Sequence, residues 1–247
     1  MGASAIELDV HATRDGVLVV CHDETVERTT DGIGEIAALA AADLARLDNA
    51  YWFIPGATVT PGRRAGEYPW RGRAPVDRRY AIATLDEVLA SFPDVVLNLD
   101  IKRTAPDVAP YEALLADALR RARATERVIV ASFHDAAIVA FRALAPEVAT
   151  AAATDETVRW YTTLDGASAV PPAQALQLPE SIGDQRVVTP GLVARAHEDG
   201  LAVHVWTINE VTVMEEMLDA GVDGIITDRP ATLASLLEKR GVAWRNR

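Results

Sequence analysis

The sequence is short of cysteine and of positive charge, and each shortage excludes a class of protein. Cys21 is the only cysteine among 247 residues, which excludes a disulfide framework within the chain and a cysteine-rich zinc site. Asp and Glu number 36 against 24 Lys and Arg, so the formal net charge is −12. Nucleic acid and anionic membranes would repel such a chain. A phosphate-containing ligand would therefore need a local cation.

The sequence also lacks a long hydrophobic run. No apolar stretch reaches the roughly 18 residues that a membrane-spanning helix needs, and the chain does not open with a signal peptide. We expect no stable membrane insertion and, by default, a cytoplasmic protein, although a segment upstream of the given start could carry a targeting signal. The composition, 49% hydrophobic and 24% charged, is typical of a globular protein, and the length suits one barrel domain over residues 1–247.

Short apolar segments alternate with helical patterns along most of the chain, which is typical of an α/β fold with a parallel sheet covered by helices. Seven such strands are predicted, at residues 6–10, 95–101, 128–132, 148–153, 175–178, 201–207 and 224–227. Six helices are predicted, at residues 85–91, 110–124, 136–144, 190–199, 211–220 and 230–239. Asp15-Gly16 predicts a turn back into a short strand at residues 17–21.

The segment from about residue 45 to residue 83 follows neither the strand period nor the helix period. It is rich in Gly, Pro and Arg and carries five aromatic residues within residues 51–70. Loops of this length are usually lids or binding segments, so we expect an insertion over one mouth of the barrel. The aromatic content argues against the alternative, a disordered linker.

Two carboxylates share one face of the first predicted strand. Glu7 and Asp9 are separated by one residue, so their side chains point to one side while the apolar residues point to the other. Inside a barrel such a pair is costly unless a cation neutralises it, and Ca²⁺ and Mg²⁺ prefer oxygen ligands. Glu7 and Asp9 are therefore candidate metal ligands, with a solvated strand end as the alternative.

Asp100 and Lys102 repeat this arrangement at the end of the next predicted barrel strand. Active sites of α/β barrels lie at the carboxyl ends of the strands, so these residues should meet Glu7 and Asp9 at one mouth. Three carboxylates and a lysine suit a metal ion together with an anionic substrate. A salt bridge between Asp100 and Lys102 is the alternative.

Two further side chains are candidates for the same mouth. His22 follows a short apolar strand, and an imidazole near neutrality can accept or deliver a proton, although a structural histidine is the alternative. Trp206 stands at the end of a later strand and could line a pocket, although core packing is equally open. The remaining histidines are assigned structural or surface roles: His11, His134, His197 and His204.

Five segments, taken in order, resemble the glycerophosphodiester phosphodiesterase family. They are IELDVHATRDGVLVVCHDETVERTTDGIGEI at residues 6–36, LNLDIK at 97–102, VIVASF at 128–133, VHVWTIN at 203–209 and GVDGIITDRP at 221–230. Any one of them would be weak evidence. Their order and spacing over nearly the whole chain make the resemblance specific.

The resemblance implies a TIM (β/α)₈-type barrel that hydrolyses glycerophosphodiesters to glycerol 3-phosphate and an alcohol. It also implies a divalent metal, Ca²⁺ or Mg²⁺, and two histidines that act as general acid and base. By position in the family's motifs, it assigns roles to six residues: the metal ligands Glu7, Asp9 and Asp100, the catalytic His22, the phosphate-binding Lys102 and the pocket residue Trp206. The expected partner is a small glycerophosphodiester substrate.

The sequence departs from the family pattern at two places. Asp100 stands where family members usually have Glu, so coordination through water or a changed metal preference is expected. The family's first strand, which ends in a His-Arg-Gly motif, and the Pro-Glu-Asn segment that follows it do not precede Ile6. We therefore expect a barrel without its first strand and helix, with weak or no activity in this form. The open strand edges should favour self-association.

Two other functions remain open. A non-catalytic relative that binds phosphodiesters or a protein partner would keep the pocket but lack the second proton-transfer group. A barrel phosphodiesterase acting on a phospholipid or phosphoinositide head group is less favoured, because no basic or strongly amphipathic membrane-binding segment is present.

Overall fold

The computed structural model describes residues 3–56, 59, 61–74, 76–102, 109–163 and 170–242. Its strands are β1 (Ala5–Ala12), β2 (Leu18–Val20), β3 (Val96–Ile101), β4 (Val128–Ala131), β5 (Ala149–Thr150), β6 (Ala175–Pro179), β7 (Ser181–Ile182), β8 (Gln185–Arg186), β9 (Ala202–Trp206) and β10 (Gly224–Ile225). Its α-helices are α1 (Ala41–Leu44), α2 (Leu85–Ser91), α3 (Glu112–Arg121), α4 (Asp135–Leu144), α5 (Thr154–Thr162), α6 (Pro190–Glu198), α7 (Val211–Ala220) and α8 (Pro230–Lys239). Short 3₁₀ helices lie at Ile36–Ala38, Ala65–Glu67, Arg78–Tyr80 and Thr125–Arg127.

Seven strands form one parallel series in chain order, with helices between consecutive strands. β1, β3, β4 and β5 are neighbours in one sheet, and β6, β9 and β10 are neighbours in another. A bridge between Ala151 and Ala175 joins the two groups, and Ala152 N donates to Ala175 O at 2.8 Å. This is the arrangement of a (β/α) barrel. The predicted fold class is confirmed, and each predicted strand and helix overlaps an observed one.

Side chains along the parallel strands alternate between the helix layer and the barrel interior. On β3, Leu97, Leu99 and Ile101 are almost completely buried in the main apolar core with residues of α3 and α4. Asn98 and Asp100 lie on the other face, where Asn98 contacts a side chain of β6. This alternation, with a period of two residues, places polar groups inside the barrel.

Several helices begin and end where the sequence provides capping groups. Thr84 caps α2, because its hydroxyl accepts from Glu87 N and the Glu87 carboxylate accepts from Thr84 N. Thr189 caps α6, where Pro190 is the first helical residue. Gly221 ends α7 at φ 87°, a conformation that disfavours other residues. These three helices lead into strands of the parallel series: α2 into β3, α6 into β9 and α7 into β10.

The predicted turn at Asp15-Gly16 is present, and β2 returns antiparallel to the last residues of β1. The chain then passes back along β1, where Cys21 N donates to the carbonyl oxygen of Asp9 at 3.0 Å. This hydrogen bond brings His22, the next residue, to the carboxyl end of β1.

The insertion between about residues 45 and 83 is organised around a cation, although residues 57–58, 60 and 75 lie outside the described chain. The guanidinium of Arg71 lies 4.0–4.6 Å from the ring centroids of Tyr51, Trp52 and Tyr68. Arg71 Nε also donates to the carbonyl oxygen of Tyr51 at 2.9 Å. The expected order in this segment is thus present, whereas its position over a barrel mouth stays a prediction.

Among the described residues, no helix combines the length and the apolar character that a membrane span requires.

Candidate active site at the carboxyl ends of the strands

Two neighbouring strands bring two carboxylates and a lysine together. Asp9 of β1 and Asp100 of β3 are paired in the parallel register. Lys102 Nζ lies 3.1 Å from Asp9 Oδ1 and 3.0 Å from Asp100 Oδ2, and the three side chains are only 11–15% exposed. The Asp100–Lys102 salt bridge, the alternative considered above, is therefore present, and it also includes Asp9.

One ammonium group does not satisfy both carboxylates. Burial raises the pKa of Asp100 to about 6, even though Lys102 opposes the shift. Burial lowers the pKa of Lys102, but the charges of Asp100 and Asp9 outweigh it and the net shift is upward. Asp100 Oδ1 is buried and has no hydrogen-bond partner within the described chain. Such an atom marks a place where a further cation or donor would be stabilised.

Glu7 lies on the same face of β1 as Asp9. Burial, together with the charges of Asp9 and Asp100, raises the pKa of Glu7 to about 7. The residue as a whole is nevertheless exposed, so solvent screens part of this effect. Asp228, which follows β10, also raises the pKa of Glu7. The end of β10 thus lies close enough to β1 for their charges to interact, as expected in a barrel.

The imidazole of His22 contacts an acidic side chain. Its Nδ1 lies 2.7 Å from Asp23 Oδ1, and Arg28 binds the same carboxylate through Nε at 2.5 Å and Nη2 at 2.9 Å. Arg28 holds the pKa of Asp23 down at about 2, against the effect of burial. An ionised Asp23 can only accept, so His22 Nδ1 carries the proton and Nε2 is left for exchange with a ligand. The His22 side chain is 65% exposed.

His11 supports this arrangement from below. It is buried, and its Nε2 lies 3.4 Å from the carbonyl oxygen of His22. A carbonyl oxygen can only accept, so Nε2 is the protonated nitrogen. Burial lowers the pKa of His11, which favours the neutral ring. The structural role expected for His11 stays a prediction, and its burial and this contact are consistent with it.

Phe133, which the sequence did not single out, lies close to both Trp206 and Lys102. Phe133, just beyond β4, is 57% exposed and packs edge-on against Trp206, with ring centroids 5.7 Å apart. Lys102 Nζ lies 5.7 Å from the centroid of the same ring. The exposed Phe133 and the half-buried Trp206 form an apolar wall beside the cation. The sequence signal for Phe133 was its position just after the carboxyl end of β4, in VIVASF.

The carboxylate cluster has the donors of a hard-cation site but not a preformed geometry. Within the described parts of the chain, no three His, Cys, Asp or Glu side chains are already arranged to hold a metal ion. The Lys102 ammonium group lies between two of the predicted ligands instead. The donor set still fits Ca²⁺ or Mg²⁺, because it contains only oxygens, one of them buried without a partner, and its like charges raise the pKa of Glu7.

Comparison with known proteins identifies the family. Residues 1–232 match the model of the glycerophosphoryl diester phosphodiesterase family. The chain is 34% identical to probable glycerophosphodiester phosphodiesterase 2 of Mycobacterium tuberculosis, over 98% of this chain and 82% of that protein. It is 32% identical to a glycerophosphodiester phosphodiesterase of Caldanaerobacter subterraneus subsp. tengcongensis, over 98% and 88% of the two chains.

A solved structure supports the fold independently of sequence. An Oleispira antarctica phosphodiesterase in complex with the product sn-glycerol-3-phosphate superposes with a TM-score of 0.72 at 23% identity, over 95% of this chain and 85% of that one. At this identity the likeness carries the fold alone. The match to the family model extends over most of the chain, and the chain therefore belongs to the glycerophosphoryl diester phosphodiesterase family.

Proposed function

We propose that this protein hydrolyses glycerophosphodiesters to glycerol 3-phosphate and an alcohol with the help of a divalent cation. The observation that carries the proposal is the cluster of Asp9, Asp100 and Lys102, with His22 close enough for its charge to act on Asp100 and with Phe133 beside Lys102. The curated relatives named for this activity and the product bound to the Oleispira antarctica structure support it.

Because the chain carries excess negative charge, a phosphate ligand needs a local cation, and Lys102 is that cation. Its ammonium group has three donors, of which Asp9 and Asp100 accept two. A phosphodiester oxygen would take the remaining donor or replace one carboxylate. Phe133 and Trp206 would then contact the carbon atoms of the glycerol or of the alcohol, which keeps the diester oriented across the mouth.

His22 is the proton-transfer group of this proposal. Asp23 holds Nδ1–H, so Nε2 can take a proton from an attacking hydroxyl or return one to a leaving oxygen. Arg28 keeps Asp23 ionised and in place. The high exposure of His22 leaves Nε2 accessible to a substrate that enters from solvent.

The predicted metal ligands Glu7, Asp9 and Asp100 would hold the cation, either Ca²⁺ or Mg²⁺. When bound, such an ion polarises phosphoryl oxygens and orients the attacking group. Glu7 and Asp100 must lose their protons to bind it, and Lys102 must release at least one carboxylate. The buried, unpartnered Asp100 Oδ1 is the atom best prepared for this role.

The test is glycerol 3-phosphate release from glycerophosphocholine, measured with Ca²⁺, with Mg²⁺ and with a chelator. We expect release that depends on the cation and falls about 10²-fold or more in His22→Ala. His197→Ala is a matched control, because His197 pairs with Asp223 on the surface, away from the cluster. Saturable binding of the diester without turnover would favour the non-catalytic alternative instead.

We also propose that residues 1–247 act as one domain and that its strand edges permit self-association. Among the described residues, β2 pairs with β1 at Val10–Ala12 only, which leaves the start of that edge of β1 without a strand, and the outer edge of β10 has no strand beside it. Unpaired edges of this kind accept strands from other chains.

A further inference from the structure

A line of side-chain hydrogen bonds crosses the barrel interior directly below the carboxylate cluster. Asn98 Nδ2 of β3 donates to Gln177 Oε1 of β6 at 3.3 Å, and Gln177 Nε2 donates to Asn98 Oδ1 at 3.1 Å. Gln177 Nε2 also lies 3.4 Å from Nδ1 of His204, its register partner on β9. In the strand series, β4 and β5 separate β3 from β6. The contact therefore spans the interior and does not follow strand pairing.

The orientation of the Gln177 amide sets the hydrogen-bond directions along this line. Gln177 Nε2 has two hydrogens, and Asn98 Oδ1 and His204 Nδ1 accept one each. His204 Nδ1 is therefore unprotonated and the ring proton lies on Nε2. Burial lowers the pKa of His204, which favours this neutral ring. A Cβ on Gly224 would lie 2.9 Å from His204 Cδ2, so the glycine provides the space in which the ring is held.

This line lies one layer below the candidate active site. Asn98 precedes Asp100 by two residues and faces the same side of β3, and His204 precedes Trp206 by two residues on β9. One end of this line thus lies on β3, the strand that leads to Lys102. The other end lies on β9, the strand that ends at Trp206. Asn98 is buried, so solvent offers little replacement for a lost partner.

We propose that Gln177 is a positioning residue that sets the separation between Lys102 and Trp206 by tying β3 to β9. The proposal rests on the proposed function, because it assumes that both ends contact one ligand. The affinity for a ligand that contacts both Lys102 and Trp206 depends on the distance between these two residues. The affinity for a ligand that contacts only Lys102 does not depend on it. Glycerol 3-phosphate belongs to the first kind and inorganic phosphate to the second.

The experiment compares the affinities of these two ligands in Gln177→Met, measured by calorimetry on the full chain. Methionine has a similar length and no branch, so it keeps the packing while removing the hydrogen bonds. We expect binding of glycerol 3-phosphate to weaken about tenfold, because small displacements of binding groups are costly, while binding of phosphate changes by less than about twofold. Gln174→Met is the matched control: this exposed amide accepts from Thr150 N at 2.8 Å just before β6 and should leave both affinities unchanged.

An equal loss for both ligands would assign Gln177 to the fold in general, and no loss in a folded variant would show that it positions nothing. Either result overturns the proposal. Asn98→Ala removes the hydrogen-bond partner of Gln177 on β3 and must also weaken glycerol 3-phosphate binding without weakening phosphate binding. This variant keeps the test decisive if Gln177→Met does not fold.

Failure of the proposed function would appear differently, as a wild-type chain that neither hydrolyses glycerophosphocholine nor binds glycerol 3-phosphate. In that case the backbone amide resonances of Asp100 and Trp206 still decide the matter. Both resonances shift in Gln177→Met if the amide couples the two strands, and unchanged resonances overturn the proposal.

Discussion

At the scale of single residues, the proposed role of His22 in proton transfer would depend on the carboxylate beside it. Asp23→Asn replaces an acceptor by an amide that can also donate, so His22 Nδ1 can lose its proton and Nε2 its role as base. We expect kcat for glycerophosphocholine to fall about 10–100-fold with KM changed by less than about threefold. Steady-state kinetics check this.

The matched control for that variant is Asp77→Asn, which removes the carboxylate from another exposed pair, the one with Arg79. It should leave kcat unchanged. If Asp23→Asn also kept the kcat of the wild type, His22 would not need its carboxylate partner, and its place in the mechanism would be wrong.

The acidic cluster would make the proposed cation binding dependent on pH. The pKa of Glu7 rises from 4.5 to about 7 and that of Asp100 from 3.8 to about 6 in the folded chain. Because these pKa values are raised, the protonated carboxyl groups stabilise the folded state. This contribution to stability is complete below about pH 4 and is lost as pH rises through 6 and 7. A divalent cation should reverse the loss, because it binds the ionised forms.

We therefore expect millimolar Ca²⁺ or Mg²⁺ to raise Tm by several degrees at pH 8 and by less than about one degree at pH 5. Differential scanning calorimetry with and without a chelator measures both shifts. Glu7→Gln should reduce the shift at pH 8. Equal shifts at the two pH values would show that the cation binds elsewhere.

The sequence predicted which residues face the mouth, but not how they pair. Alternation along a strand places Glu7 with Asp9 and Asp100 with Lys102, and it needs no knowledge of the neighbouring strand. The contact between Lys102 and Asp9 depends on the register between β1 and β3, which the sequence does not reveal. Phe133 was missed because a single aromatic residue after a strand usually belongs to a core.

At the scale of elements, one buried hydroxyl joins the ends of the two strands that carry the cluster. Tyr111 precedes α3, and its Oη is within hydrogen-bond distance of the carbonyl oxygens of Val10 and Lys102, the latter at 3.0 Å. Tyr111→Phe keeps the buried ring but removes this donor. We expect the free energy of unfolding to fall by about 1–2 kcal/mol, measured by urea denaturation.

Tyr161→Phe provides the comparison for this change, because Tyr161 on α5 is 38% exposed, whereas Tyr111 is buried. It should change the free energy of unfolding by less than about 0.5 kcal/mol. Equal effects of the two substitutions would show that the Tyr111 hydroxyl does not hold the strand ends together.

The insertion should lose its local order when its central cation is removed. Arg71→Met takes away three contacts with aromatic rings and one hydrogen bond to the backbone. Limited proteolysis within residues 45–83 should become about 5–10-fold faster, while the global unfolding transition moves little, because the segment opens locally.

Arg64→Met removes an exposed arginine from the same segment and should leave its cleavage rate unchanged. If Arg71→Met were cleaved no faster than Arg64→Met, the aromatic residues would hold the segment without the guanidinium.

Element prediction succeeded where one face of an element is buried and failed where burial is slight. The strands and most helices follow the apolar periods of the sequence. Helix α5 was not predicted, because Trp160 is its only buried residue and the rest of TDETVRWYT is largely polar. The hairpin of β7 and β8 was missed for the same reason, since each strand has two residues and little apolar content.

At the scale of the whole molecule, the edges of the strand series should govern association. The start of the outer edge of β1 and the outer edge of β10 are without a partner strand in the described chain. Sedimentation velocity should therefore show a mean mass that rises with protein concentration. Ala5→Lys places a charge at the open end of β1 and should reduce the association. A monomeric profile at high concentration would contradict this prediction.

A mouth in which two carboxylates contact one ammonium group, on a chain of net charge −12, would also affect how substrates arrive. An anionic diester diffuses against a repulsive field that extends over about 10 Å at 0.1 M salt, whereas a zwitterionic diester of no net charge hardly senses it. Added salt should therefore speed the encounter with anionic diesters and leave that with zwitterionic ones nearly constant. The protein would then discriminate between head groups by rate of arrival before any contact is made.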